Sequence, residues 1–135
     1  MAVKETSPRP PFADRIIAVA ALALASTLVQ AAPLRLTSTV ARAAKRVARR
    51  AATSAEAERI IAARDWAARY FPGRAACLEM SLAAHLASCL HGRGVDWCIG
   101  CRFGPCESHA WIEAEAHTVG EPDTPDRPFH ITLRV

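Results

Sequence analysis

The chain has 135 residues, of which 51% are apolar and 22% are charged. This length is typical of one globular domain, and the composition excludes an intrinsically disordered chain. The net charge of +4 is unevenly distributed, because residues 1–53 carry nine Lys or Arg and two Asp or Glu, whereas residues 54–135 carry eight and eleven. We therefore interpret 1–53 as a basic helical region and 54–135 as the core that carries the chemistry, both within one compact unit.

The apolar run from Ile16 to Leu34 could be read as a membrane segment. It contains no charged residue and has the minimum length of a bilayer span, and the basic residues before it are also typical of a secretory signal. The run is rich in Ala and is diluted by Gln30, so it is only weakly hydrophobic. We predict a helix packed on the rest of the domain, and we favour neither membrane association nor a cleaved signal.

A cluster of cations follows this run. The cations at helical spacings within 36–52 are Arg42, Lys45, Arg46, Arg49 and Arg50. They predict a solvated basic helix face, with attraction of an acidic peptide or an anionic lipid as the functional alternative. No aromatic residue interleaves with them, so we predict no nucleic-acid partner.

The next helix has a clear start signal. Thr53-Ser54-Ala55-Glu56 matches a capping box, and Phe71-Pro72-Gly73 is a stop signal. The residues expected on its inner face are Ala62, Ala63, Trp66, Ala67 and Tyr70. Residues 1–71 are thus predicted to form three helices and no strand.

A second amphipathic helix is predicted to begin at Cys77. Leu78, Leu82, Leu86 and then Cys89 or Leu90 repeat every three to four residues, and Gly92 or Gly94 ends the pattern. A thiol at a helix N-terminus lies in a positive field that favours the thiolate, which is the nucleophilic form.

Three strands are predicted after this helix, over residues 95–102, 108–116 and 129–135. In the second strand, His109, Trp111, Glu113 and Glu115 face one way, and the even-numbered apolar residues face the other. Helices followed by consecutive strands indicate an α+β fold, with N-terminal helices packed on a small antiparallel sheet. A Cys at a helix start and a His on an adjacent strand is the arrangement that a cysteine protease needs.

Four segments carry a closer resemblance: C-L-E-M-S-L-A at 77–83, R-G at 93–94, I-G-C-R at 99–102 and H-A-W-I-E at 109–113. Over about residues 60–125 the chain resembles the lasso peptide biosynthesis B protein, the microcin-processing branch of the transglutaminase-like cysteine peptidases. The resemblance implies a transglutaminase-like or papain-like cysteine peptidase core. The resemblance implies that Cys77 is the nucleophile, that His109 is the general base, and that Glu121 is the acidic residue that orients the imidazole. Asp123 is the alternative acid.

The chain departs from the family pattern at three positions. Met80 stands where the family usually has Arg, Ser108 precedes the His where Ala is usual, and Glu121 replaces the more common Asp. None of these changes removes the Cys–His pair. The Met80 change points to altered contacts with the leader peptide or a partner.

The resemblance implies a function in lasso peptide maturation, namely removal of the leader from a ribosomally made precursor peptide. It also implies two partners: a separate leader-recognition protein, and an ATP-dependent cyclase that resembles asparagine synthetases. The stand-alone protease form is expected, because a winged-helix recognition domain needs strands and none is predicted before Cys77. A non-catalytic binding or scaffold protein with the same fold is the alternative, and a membrane-anchored protein with a metal-binding tail is a third hypothesis.

Two further residues of the His109 strand are candidates for the substrate groove. Trp111 would flank the imidazole, and Glu113 would line the same face, although ordinary packing and solvated charge are the simpler interpretations.

The cysteines predict the cellular compartment. An odd number, five, argues against a closed disulfide framework, so free thiols and a cytoplasmic location are expected. Cys98 and Cys101 form a C-x-x-C pair, but the pair lies in a predicted strand and a second ligand pair is missing. We therefore predict no metal ion and no cofactor. The other histidines, His85, His91, His117 and His130, are expected at the surface or at edges.

Overall fold

The computed structural model describes residues 9–72, 76–121 and 128–135, so Asp123 lies outside the described residues. The helices are α1 (Phe12–Ala31), α2 (Leu34–Val47), α3 (Ser54–Ala68) and α4 (Cys77–Leu90). The strands are β1 (Arg50–Ala51), β2 (Arg93–Gly94), β3 (Asp96–Arg102), β4 (Glu107–Ala114), β5 (His117–Val119) and β6 (His130–Arg134).

Four strands form an antiparallel sheet in the order β5-β4-β3-β6. Helix α4 contacts β4 and β3 of this sheet and is itself contacted by α1, α2 and α3. The core lies between the helices and one face of the sheet, and Trp97, Leu82 and Ile112 are among its fully buried side chains. The predicted α+β fold is confirmed.

The apolar run is interrupted at Pro33, which corrects the prediction of one helix over Ile16–Leu34. Ala32 is extended because the residue before a proline avoids helical dihedrals, so α1 ends at Ala31 and α2 begins at Leu34. By length and composition α1 could cross a membrane, and a third of its most apolar window is buried within the protein. Its buried residues include Ala18, Ala21 and Leu22, and it contacts α3 and α4.

A short strand lies in the region that was predicted to be entirely helical. Strand β1 pairs in parallel with β2, and the N–H of Ala52 donates to the carbonyl of Gly94 at 2.8 Å. Two residues are too few to show an alternating pattern, so this pairing left no periodic signal in the sequence. It ties the segment between α2 and α3 to the end of α4.

Helix α3 begins with the predicted capping box. The Thr53 hydroxyl accepts from the N–H of Glu56, and the Glu56 carboxylate accepts from the N–H of Thr53. Its buried face differs in part from the prediction, since Ala62 is exposed and Tyr70 is 72% exposed. The pair Ile60 and Ile61 buries more apolar area than that alanine and thus sets the rotation of the helix.

The second predicted strand ends earlier than expected. Glu115 and Ala116 have φ angles of 52° and 63°, and these two residues form a tight turn from β4 into β5. Because Glu115 lies in this turn, it does not share a strand face with His109. Its carboxylate instead accepts a hydrogen bond from the N–H of Ser54 at 2.6 Å. Strand β5 was not predicted.

The core contains one histidine that was expected at the surface. His85 is fully buried on α4, and its Nε2 donates to the carbonyl of Ala41 on α2 at 2.9 Å. Burial lowers its pKa and keeps the ring neutral. Leu90, in contrast, fits the apolar repeat that predicts a buried face, but it is 62% exposed.

Candidate active site

Cys77 is the first residue of α4, as predicted, and it is exposed. The helix start is held by Glu79, whose carboxylate accepts from the N–H of Ala76 at 3.2 Å. One turn further on, the Ser81 hydroxyl accepts from the indole N–H of Trp97 at 3.0 Å, which joins α4 to the sheet. These contacts fix the helix that presents the thiol.

His109 lies on β4 opposite Gly100 of β3. Its ring is stacked on Trp111 with 6.0 Å between centroids, and it lies 5.4 Å from the ring of Phe129. Gly100 makes room for the Trp111 ring, because a Cβ at residue 100 would lie 2.8 Å from that ring. The imidazole is thus held by aromatic contacts on one face of the sheet.

The His109 ring contacts the Glu121 carboxylate. Nε2 lies 2.7 Å from Oε1 and 2.6 Å from Oε2, and the two side chains are 27% and 34% exposed. An ionised carboxylate only accepts hydrogen bonds, so Nε2 is the donor. In the neutral ring this leaves the lone pair on Nδ1, which is then the basic nitrogen.

Gly120 places Glu121 beside this ring. Its φ of +81° belongs to the left-handed region that favours glycine. It also lies directly on α3, since a Cβ there would be 2.6 Å from Cδ1 of Ile61. The chain leaving β5 can therefore turn tightly under α3 and present the carboxylate.

Cys77 and Glu121 line the same cleft, which has a volume of about 50 Å³. Its other lining residues are Arg64, Met80, Ser81, Ala110, Trp111, Ile112, Val119 and Gly120. In the part of the chain that the structure describes, no hydrogen bond joins the Cys77 thiol to His109. Cys77 and Glu121 thus share a cleft that His109 does not itself line, and the Glu121 carboxylate contacts the imidazole.

The two groove candidates differ in their surroundings. Trp111 lines the cleft with Cys77. Glu113 does not line it, because its carboxylate accepts from the indole N–H of Trp111 at 2.9 Å and from Arg134 at 3.0 Å. Glu113 thus holds the Trp111 indole through its N–H and, through Arg134, links β4 to β6.

The other cysteines differ from Cys77 in their environment. Burial raises the pKa of the Cys89 thiol to about 11 and that of Cys98 to about 12. All five thiols are free, and Cys98 and Cys101 lie within strand β3. Among the described residues, no group of three or more His, Cys, Asp or Glu side chains could hold a metal ion.

Sequence analysis missed one charged residue of the cleft, Arg64 on α3. Its guanidinium donates to the carbonyl of Met80 at 3.3 Å and to Asp65 at 2.9 Å, and its side chain is 14% exposed. It therefore places a cation beside Met80. In the sequence, the sign that Arg64 could face the cleft was its position next to the apolar residues of α3.

A cysteine at a helix start, packed on a sheet that carries a His–carboxylate pair, is an arrangement found among α+β proteins that use cysteine-based chemistry. Residues 18–134 match the transglutaminase-like superfamily, and the chain belongs to that superfamily. The match begins within α1 and ends within β6, so it includes the N-terminal helices as well as the sheet. No curated protein and no solved structure matches the chain.

Proposed function

We propose that this protein is a cysteine peptidase that removes the leader peptide from a lasso peptide precursor. The observation that carries the proposal is the contact of His109 with Glu121, whose carboxylate lines one cleft with Cys77. Membership of the transglutaminase-like superfamily, which includes cysteine peptidases, supports the reaction class. The motif resemblance around Cys77 and His109 supports the substrate class.

In the proposed reaction, Nδ1 of His109 takes the proton of the Cys77 thiol while the sulfur attacks the scissile carbonyl carbon. Glu121 accepts the hydrogen bond from Nε2–H and stabilises the imidazolium that forms. The carbon–nitrogen bond then breaks, and the leaving amine takes the proton from Nδ1. Water, deprotonated by the same nitrogen, hydrolyses the thioester and restores the thiol.

Only Nδ1 can serve in this reaction, because the carboxylate occupies Nε2 on both of its oxygens. The step also requires the thiol to come within hydrogen-bonding reach of Nδ1. Catalytic hydrogen bonds are commonly longer in a free enzyme than in its substrate complex. The proposal therefore places the Cys77–His109 contact in the substrate complex.

The substrate is a peptide, and among the described residues that line the cleft the cation is Arg64. Arg64 uses part of its donors on Asp65 and Met80, and guanidinium has five N–H donors in total. The remaining donors are suited to a carbonyl or carboxylate oxygen of the leader. Arg64 on α3 would then replace the family arginine that is absent at Met80.

Two protein partners belong to this proposal: a leader-recognition protein that delivers the precursor, and an ATP-dependent cyclase that closes the macrolactam on the freed amine. The reaction takes place in the cytoplasm, where free thiols persist. The gene neighbourhood is expected to encode a short precursor peptide and both partners.

The test is cleavage of the precursor encoded beside this gene, with the recognition protein present, followed by mass spectrometry. Cys77→Ala and His109→Ala should each abolish cleavage with an unchanged circular dichroism spectrum, and the double variant should be no worse than either. Cys106→Ala is the matched control, because Cys106 is also exposed and free. Cleavage that survives Cys77→Ala would overturn the proposal in favour of a scaffold protein.

A further inference from the structure

A groove lies between α2 and the edge of the sheet, away from the Cys77 cleft. It has a volume of about 380 Å³. Its lining residues are Leu34, Arg35, Ser38, Thr39, Arg42, Ile99, Thr132 and Leu133. Apolar side chains from the strands and from the start of α2 thus face two arginines of the helix, and none of the described residues that line the groove is acidic.

Strand β6 forms the sheet edge at this groove. It pairs with β3, and no other strand of the described segments pairs with it. An edge strand presents N–H and C=O groups that have no ladder partner, and such an edge can accept a further strand. His130, Ile131, Thr132 and Arg134 of β6 are exposed.

The helix wall of the groove carries uncompensated positive charge. The sequence has no Asp or Glu between Asp14 and Glu56. Arg35, Arg42 and Arg46 follow one stripe of α2 at spacings of seven and four, and all three are exposed. Within residues 9–72, 76–121 and 128–135 none of them forms an ion pair, whereas Lys45 pairs with Asp96 at 2.5 Å.

We propose that this groove docks an extended acidic segment of a partner protein, which pairs with β6 as an added strand. The backbone of the segment would bond to the free edge of β6, and its apolar side chains would pack on Leu133 and Ile99. Its Asp or Glu side chains would pair with Arg35 and Arg42 through charge-assisted hydrogen bonds. The proposal does not depend on the peptidase reaction.

The shape and charge of the groove favour this occupant over two others. A bilayer surface cannot enter a concave groove or pair with a strand edge, although it would be attracted to the same arginines. A nucleic acid would use aromatic stacking, and in the part of the chain that the structure describes no aromatic side chain lines the groove. An extended acidic segment uses the edge strand, the apolar floor and the cations together.

The probe is a dye-labelled peptide of alternating Glu and Val, with a peptide of alternating Lys and Val as its control, and binding is read by fluorescence anisotropy. Arg35→Gln with Arg42→Gln should raise the Kd about tenfold or more, as expected for lost charge-assisted hydrogen bonds. Arg9→Gln with Arg69→Gln is the matched variant, because it removes the same charge at exposed arginines outside the groove. It should leave the Kd within about twofold.

Hydrogen exchange supplies the second readout. The bound peptide should slow hydrogen exchange of the β6 amides. The circular dichroism spectra of the free variants should match that of the parent protein. Equal weakening by both arginine pairs, or binding with no added protection of β6, would overturn the proposal. Sedimentation with vesicles of anionic phosphatidylglycerol but no binding of the acidic peptide would also overturn it, in favour of a lipid surface.

Discussion

Gly120 packs directly on Ile61 of α3, so closely that a Cβ on the glycine would lie 2.6 Å from the isoleucine Cδ1 and 3.2 Å from its Cγ2. The next residue is Glu121, whose carboxylate contacts His109. A contact between two apolar groups on different elements thus sets the position of a charged group in the candidate active site.

We expect Gly120→Ala to impair cleavage without unfolding the protein. The added methyl must displace either Ile61 or the β5 end, and φ is +81°, which an alanine adopts only with strain. Turnover should fall about tenfold or more because the carboxylate shifts from the imidazole. Precursor cleavage measures this, and Gly120→Ala combined with Ile61→Val should recover part of it.

Glu121→Gln should lower turnover about a hundredfold, because a positioned acid–base pair typically contributes that much or more. A neutral amide keeps the shape but stabilises the imidazolium less well than a carboxylate. The loss should be smaller than for Cys77→Ala. Glu113→Gln serves as the comparison, since Glu113 holds Trp111 and Arg134 instead of His109. If only Glu113→Gln or only Asp123→Asn is impaired, the assignment of Glu121 is wrong.

Alkylation tests the nucleophile without any substrate. The protein is treated with iodoacetamide at neutral pH. Cys77 and Cys106 are exposed, whereas Cys89 and Cys98 are buried thiols with raised pKa values. We expect Cys77 to react fastest and the two buried thiols to react only after unfolding. Because the Cys77–His109 contact is assigned to the substrate complex, Glu121→Gln should leave the alkylation rates of Cys77 and Cys106 unchanged in the free protein, as read by peptide mapping with mass spectrometry. Slower alkylation of Cys77 in the variant would show that the three residues are already coupled without substrate, contrary to that assignment.

Acid stability should depend on Glu56. Hydrogen bonds from Arg93, the Thr53 N–H and Arg50 lower the pKa of Glu56 from 4.5 to about 2. A folded pKa below the unfolded value contributes stability that is present above pH 4.5 and is lost as the pH falls to about 2. Glu56→Gln should therefore lower Tm at neutral pH, and the difference from the parent should shrink in acid.

Glu58→Gln is the matched control for that comparison, since Glu58 lies on the same helix and is exposed. It should leave Tm nearly unchanged at every pH. A constant Tm difference for Glu56→Gln between neutral pH and about pH 2 would contradict the assigned linkage.

The features that the sequence predicted are those with local signals. The capping box at Thr53 and the apolar repeat after Cys77 fixed the starts of α3 and α4, because both signals lie within a few residues. The turn at Glu115 was missed, since Glu and Ala are poor formers of left-handed turns. Arg64 was missed because its place in the cleft depends on how α3 packs on α4, which no local pattern records.

The central position of α4 has a mechanical consequence. This helix is enclosed by three other helices and the sheet, and the buried His85 ties it to α2. Moving the axis of α4 would require the interior to repack, whereas the Cys77 side chain is exposed at the first residue of the helix. We therefore expect the reacting geometry to be completed by rotation of the thiol about its own side-chain bond, on a helix backbone that stays in place.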